Sequence, residues 1–313
     1  MTPSTTPLRR NSGILPVTAF EPLRVLAYFD VFHYPLSKEE ICLHVNGTIS
    51  GGEMTMLLGE LVRQERLFLH HGFYSLHNNP LLALRRREGN ERARHMIPQA
   101  MRIGRLLSCF PFVRSVSISG SLSKNFADEQ ADMDYFIITK SNRLWMARTL
   151  LHVFKKMNFL VRRQHQYCMN YFVDEEALLI AEQNVFTALE IKTLIPVSCA
   201  ESFAQFRQAN QWCDDFLPNL VVREPGGKPA AHWWVKSLVE RIFDNRIANW
   251  LDDYLMRVTT ARWMKKRDRH VKNEKGLEMC LLTGKHFARS NPGAFQEWVL
   301  GEYNRRLAQL GLL

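Results

Sequence analysis

Two short segments carry residue types that can do chemistry together. Ser119-Gly120-Ser121 is followed, ten residues on, by Asp132-Met133-Asp134-Tyr135. Side chains on a strand alternate, so both carboxylates of an Asp-x-Asp project to one face. Two carboxylates that close repel each other unless a cation lies between them. Mg²⁺ (or Mn²⁺) takes oxygen ligands and suits one or two carboxylates plus substrate phosphates. A Gly-Ser pair at a strand-to-helix turn lets the backbone approach a phosphate, and offers it N–H groups and a hydroxyl. These parts describe a metal-dependent site for a nucleoside triphosphate. The plain alternative for Asp132 and Asp134 is a solvated strand end; Gly120-Ser121 ahead of them favours the site.

The elements that must position these residues read as strand, helix, strand, helix, strand over residues 113–173. Residues 115–119 form a short β-prone run, and Gly120-Ser121-Leu122-Ser123-Lys124 is the turn and helix start. Residues 132–139 are the second strand, with Phe136-Ile137-Ile138 at its heart. A helix follows over 142–157 and a third strand over 167–173. If that strand is regular, Cys168, Asn170, Phe172 and Asp174 share one face.

Gly-Ser followed about ten residues later by Asp-apolar-Asp-apolar resembles the signature of nucleotidyltransferases with the DNA polymerase beta fold. The resemblance covers residues 116–138. More broadly, Tyr28-Phe29-Asp30-Val31-Phe32-His33-Tyr34-Pro35-Leu36 resembles uncharacterised bacterial proteins in which a winged-helix module precedes such a domain. Tyr167-Cys168-Met169-Asn170-Tyr171-Phe172 and Phe216-Leu217-Pro218-Asn219 continue that likeness. The resemblance implies that Gly120 and Ser121 cradle the phosphates, with Ser123 and Lys124 beside them, and that Asp132 and Asp134 hold the metal. It also implies a third carboxylate on the later strand. Asn170 lies inside that strand and Asp174 only at its end, so Asp174 is the candidate, with Glu175 and Glu190 as back-ups. Arg162-Arg163 could neutralise the triphosphate. For these two arginines and for Lys124, a solvated side chain is the competing reading.

Residues 20–77 look like one small unit: three amphipathic helices, then Leu67-Phe68-Leu69-His70 and Phe73-Tyr74-Ser75-Leu76 around His71-Gly72, a hairpin signal. Three helices and a hairpin is the order of a winged helix-turn-helix. Its third helix carries Glu53, Glu60 and Glu65 against Arg63 and Arg66, whereas a helix that reads DNA should be basic. An interaction or packing module is the better reading.

The whole chain has 313 residues, 46% apolar and 23% charged. That is a globular composition with room for more than one domain. The expected division is a flexible arm (1–19), the winged-helix module (20–77), a basic helical connector (78–107), the nucleotidyltransferase domain (108–200) and a helical C-terminal region (201–313). The class is α+β, with a small mixed sheet. Net charge is +10, concentrated in two places. Residues 78–105 hold seven Arg against two Glu, and residues 201–313 hold eighteen Lys or Arg against thirteen acids. Such patches attract polyanions without specificity. For Arg85-Arg86-Arg87 a solvated face is the ordinary reading and a phosphate or RNA contact the sharper one.

Six cysteines without C-x-x-C spacing read as reduced thiols. There is no apolar run of membrane-spanning length and no signal-like start, so a cytoplasmic protein without a membrane partner is expected. Hydrolase, zinc-protease and P-loop motifs do not occur. The leading expectation is a Mg²⁺-dependent enzyme that moves a nucleoside monophosphate from an NTP to a hydroxyl on a small molecule, a protein or an RNA end, releasing pyrophosphate. The alternative is a catalytically weak protein of the same fold that binds nucleic acid or a partner through its basic patches.

Overall fold

The computed structural model describes residues 20–159, 168–198, 200–224, 233–268, 279–292 and 295–313. The expected arm, 1–19, and Arg162-Arg163 lie outside them.

The chain opens with α1 (Glu21–Asp30), α2 (Lys38–His44) and α3 (Gly51–Arg63). Serine sets the start of the second and third helices. Ser37 and Glu40, and then Ser50 and Glu53, form reciprocal capping boxes that satisfy backbone N–H groups the helices leave open. The hairpin β1 (Phe68–His70) and β2 (Phe73–Ser75) follows. Its turn needs positive φ, found at His71 (52°) and Gly72 (86°). Leu23, Leu26, Leu36, Ile41, Met54, Leu58 and Leu67 fill the space between these elements.

Helix α4 (Pro80–Ser108) runs 29 residues without a break, about 43 Å. Most of its buried positions are small residues, Ala83, Gly89, Ala93, Ala100, Gly104 and Ser108, with Arg86 and Leu107 the large exceptions, so neighbours come close to its backbone. A Cβ on Gly89 would lie 2.2 Å from the Phe126 ring.

A six-stranded mixed sheet forms the middle of the molecule, in the order β6-β3-β4-β5-β8-β7. Its strands are β3 (Val113–Ile118), β4 (Asp134–Thr139), β5 (Cys168–Asp174), β6 (Ile195–Ser198), β7 (Met279–Thr283) and β8 (Phe287–Pro292). Among the described strands only β4 and β5 pair in parallel. That pairing needs a crossover, and α6 (Leu144–Phe159) lies within it. Alternation along β4 splits its side chains between two cores. Tyr135 and Ile137 pack with residues of α4, α6 and α10 (Arg246–Asp268). Phe136 and Ile138 pack with the N-terminal unit, α7 (Val185–Lys192), α8 (Ala200–Ala209) and α11 (Phe295–Gln309).

Three expectations change. The second strand begins at Asp134 rather than 132, so Asp132 precedes it. The C-terminal region is not helical throughout: besides α9 (Trp233–Ile242), α10 and α11 it supplies β7 and β8, and β8 pairs antiparallel with β5. Finally, the third strand is irregular. Tyr135 pairs Met169 and Phe136 pairs Tyr171, leaving Asn170 as the extra residue of a bulge.

A buried carboxyl joins α10 to α6. Asp252 is 3% exposed, and its Oδ1 accepts the Met146 N–H at 2.8 Å. Burial pushes its pKa up to about 7. The folded protein therefore holds a proton that the unfolded chain releases near pH 4. The stability this proton brings is whole below about pH 4 and is lost as pH rises toward 7. Asp252→Asn should flatten that decline, as unfolding midpoints of both proteins between pH 5 and pH 8 will show.

Candidate functional site

The site is built where β3 ends and β4 begins. Ser119 leaves β3 extended, and its N–H bonds the Asp134 carbonyl at 2.9 Å. The chain then turns at Gly120, with φ of +69°, into the four-residue helix α5 (Gly120–Ser123). A Cβ at position 120 would stand 2.6 Å from Asp134 Oδ2. Two constraints thus demand glycine: the left-handed backbone, and the carboxylate pressed against it. Ser121 is exposed on the outside of this turn.

The turn is braced from behind. Ser123 Oγ donates to the Gly120 carbonyl at 2.8 Å. Lys124 Nζ donates to the same carbonyl at 3.0 Å and reaches Glu190 Oε1 on α7 at 2.8 Å. The Lys124 carbonyl accepts the Tyr34 hydroxyl at 2.8 Å. Lys124 is therefore neither a loose surface cation nor a free phosphate donor: its charge is matched by Glu190 and its ammonium ties the turn.

Asp134 is joined by Asn170, whose Nδ2 donates to Asp134 Oδ1 at 2.6 Å. The bulge places it there, since a regular strand would have set Phe136 opposite residue 170. Cys168 Sγ lies 3.3 Å from Asn170 Oδ1. Its thiol is pushed up to about 12, by burial first and then by the negative charge of Asp134, with a smaller contribution from Asp132. The negative charge of Asp132 is thus felt at the same thiol, although only Asp134 lies on the strand.

The structure takes two expected carboxylates away from the site. Asp174 pairs with Thr139 while Cys168 pairs with Asp134, which puts it five residues along the sheet, about 16 Å away. Its carboxylate, fully buried, accepts the N–H groups of Asn142 (2.9 Å) and Glu176 (3.0 Å) and meets His286 Nδ1 at 2.9 Å. It closes the far end of the sheet. The bulge also ends the shared face expected for residues 168 to 174, because Phe172 joins the α4–α6 core. Glu175 lies at that far end too, near Ser141 N and the Arg114 guanidinium. Glu190 alone of the three is brought to the site.

Sequence reasoning missed the braces. Tyr34, Thr193 and Arg223 reach Lys124 and Ser123 from distant parts of the chain, and no local pattern announces such contacts. No group of three or more His, Cys, Asp or Glu side chains placed to hold a metal occurs among the described residues. The Asp132–Asp134 pair offers hard oxygen ligands, which fits a Mg²⁺ ion that draws its other ligands from substrate phosphates and water. No family model, curated protein or solved structure matches this chain.

Two substitutions probe this geometry. Gly120→Ala meets both the positive φ and the Asp134 carboxylate, and should cost about 2 kcal/mol of stability in urea unfolding. Asn170→Asp sets a second carboxylate against Asp134. In metal-free buffer it should lower stability by about 1–2 kcal/mol, and Mg²⁺ should raise its melting temperature more than it raises that of the wild type.

Proposed function

We propose that this protein is a Mg²⁺-dependent nucleotidyltransferase of the polymerase-beta type, which passes a nucleoside monophosphate from an NTP to a hydroxyl acceptor. The observation that carries the reading is Gly120, held in a left-handed turn with no room for a side chain because Asp134 Oδ2 stands 2.6 Å from where a Cβ would be. A carboxylate and an open backbone turn in direct apposition can hold a metal-bound triphosphate from two sides.

In this reading Asp132 and Asp134 hold the metal. Bound there, Mg²⁺ would offset triphosphate charge and polarise the α-phosphorus. Gly120 lets the backbone approach the phosphates, and Ser121, exposed on the same turn, presents its hydroxyl and N–H. Ser123 and Lys124 keep the turn in shape. Asn170 fixes the Asp134 carboxylate but accepts no proton, so its contribution is orientation. The chain acts by placement and charge compensation, the main resources for phosphoryl chemistry.

The N-terminal three helices and hairpin support a winged-helix module used for packing. Its third helix pairs Arg63 with Glu60 and carries Glu53 at its start. No excess positive charge is thus presented there to a phosphate backbone. One observation favours the second reading, a catalytically weak binding protein: Asn170 occupies the place at Asp134 where a third carboxylate is expected.

Calorimetric titration with Mg²⁺ and each of ATP, GTP, CTP and UTP separates the two. Saturable binding of one nucleotide, weakened at least tenfold in Asp134→Asn, is the expected result. A wild type that binds none of the four, or an Asp134→Asn protein that binds as well, would refute the site. If binding is present, release of labelled pyrophosphate with added acceptors then tells an enzyme from a binder.

A further inference from the structure

Of Arg85, Arg86, Arg87 and Arg92 on α4, three hold the fold and one does not. Arg85 donates to the carbonyls of Phe32 and His33 and to Asp128. Arg92 donates to the Ala127 carbonyl at 3.0 Å. Arg86 is 3% exposed, with Nη2 on Glu40 at 2.5 Å, Nε on Asn90 at 2.6 Å and its plane 3.7 Å from the Tyr34 ring centre. Arg87 is exposed and makes no hydrogen bond or ion pair with any described residue.

Arg87 lines a cavity of about 450 Å³ between the N-terminal unit, α4 and the loop after the Gly120 turn. That is the size range of small-ligand sites. Its walls include Arg94, Asn90, Asn125 and the ring of Phe73. Arg87, Asn90 and Arg94 fall on one helical face, three and seven residues apart. Two acids also border the space, but each is matched: Glu40 by Arg86 and Glu91 by Arg94 at 2.9 Å. The charge left over is the guanidinium of Arg87. The cavity thus combines one uncompensated cation, the exposed side-chain amide of Asn125, and one aromatic wall. An apolar ligand would leave these polar groups without partners, and a bare anion would leave the Phe73 side empty.

We propose that this cavity is a second ligand site, for a phosphomonoester of nucleotide size, with its phosphate on Arg87 and its planar ring against Phe73. The proposal is independent of nucleotidyl transfer, because it uses none of the groups around Asp134. The same chemistry is presented by a free nucleoside monophosphate and by the 5′-phosphorylated end of a nucleic acid.

The test is calorimetric titration of the full chain in Mg²⁺-free buffer with adenosine 5′-monophosphate, adenosine and a 5′-phosphorylated trinucleotide. The monophosphate should bind saturably and adenosine at least tenfold more weakly. Arg87→Gln removes no contact within the fold and should weaken the monophosphate about tenfold, the effect of one charged hydrogen bond. Asp134→Asn should leave this binding unchanged. A trinucleotide that binds more tightly than the monophosphate assigns the site to a nucleic-acid end; equal or weaker binding assigns it to the free nucleotide. Absence of monophosphate binding, insensitivity to Arg87→Gln, or loss in Asp134→Asn would each overturn the proposal.

Discussion

The candidate site depends on how α4 holds the irregular loop between the Gly120 turn and the acidic pair. That loop has no ladder of its own, so its polar backbone groups must find partners elsewhere. Helix α4 supplies them. Asn90 Nδ2 donates to the Asn125 carbonyl at 2.7 Å, the Gly89 carbonyl accepts the Ala127 N–H at 3.1 Å, and Arg92 donates to the Ala127 carbonyl. Phe126 lies between, its ring against Gly89, under the Arg85 guanidinium and edge-on to Tyr34. Without glycine at 89 the ring could not seat, and the chain path from Ser121 to Asp132 would lose its support.

The same clamp ties the N-terminal unit to the sheet. Buried Arg86 links Glu40 to Asn90 and stacks on Tyr34, and Tyr34 in turn holds the Lys124 carbonyl. A buried guanidinium is costly unless its N–H groups are met by acceptors, and here a carboxylate, an amide and the Pro35 carbonyl meet them. The small helical unit is therefore part of the frame around the turn. Its hydrophobic core is continuous with that beneath Phe136 and Ile138.

The sheet shows how one irregularity changes the chemistry available. In a regular β5, residues 168, 170, 172 and 174 would line a single face. The extra residue at 170 keeps Asn170 beside Asp134 while Phe172 turns to the opposite core. Asp174, at the strand's far end, then becomes a structural acceptor for the turn at Asn142 and for His286. The carboxylates divide by position along the sheet: one end has two acids and an amide around an open turn, and the other has acids that tie loops together.

Several features were legible in the sequence because they are local. The apolar spacing marks the three N-terminal helices, His71-Gly72 marks a hairpin, and Gly120-Ser121 before Asp132-x-Asp134 marks a turn facing acids. Each depends on backbone geometry over a few residues, which side-chain type and spacing control. The rest was decided by long-range packing. No period in the chain says that β8 joins β5 across more than a hundred residues, that Arg85 and Arg86 turn inward while Arg87 does not, or that Lys124 is matched by Glu190. Those outcomes follow from which buried polar groups found partners once the two cores closed on the sheet. Only the tertiary structure satisfies that requirement, since the partners lie tens to hundreds of residues apart.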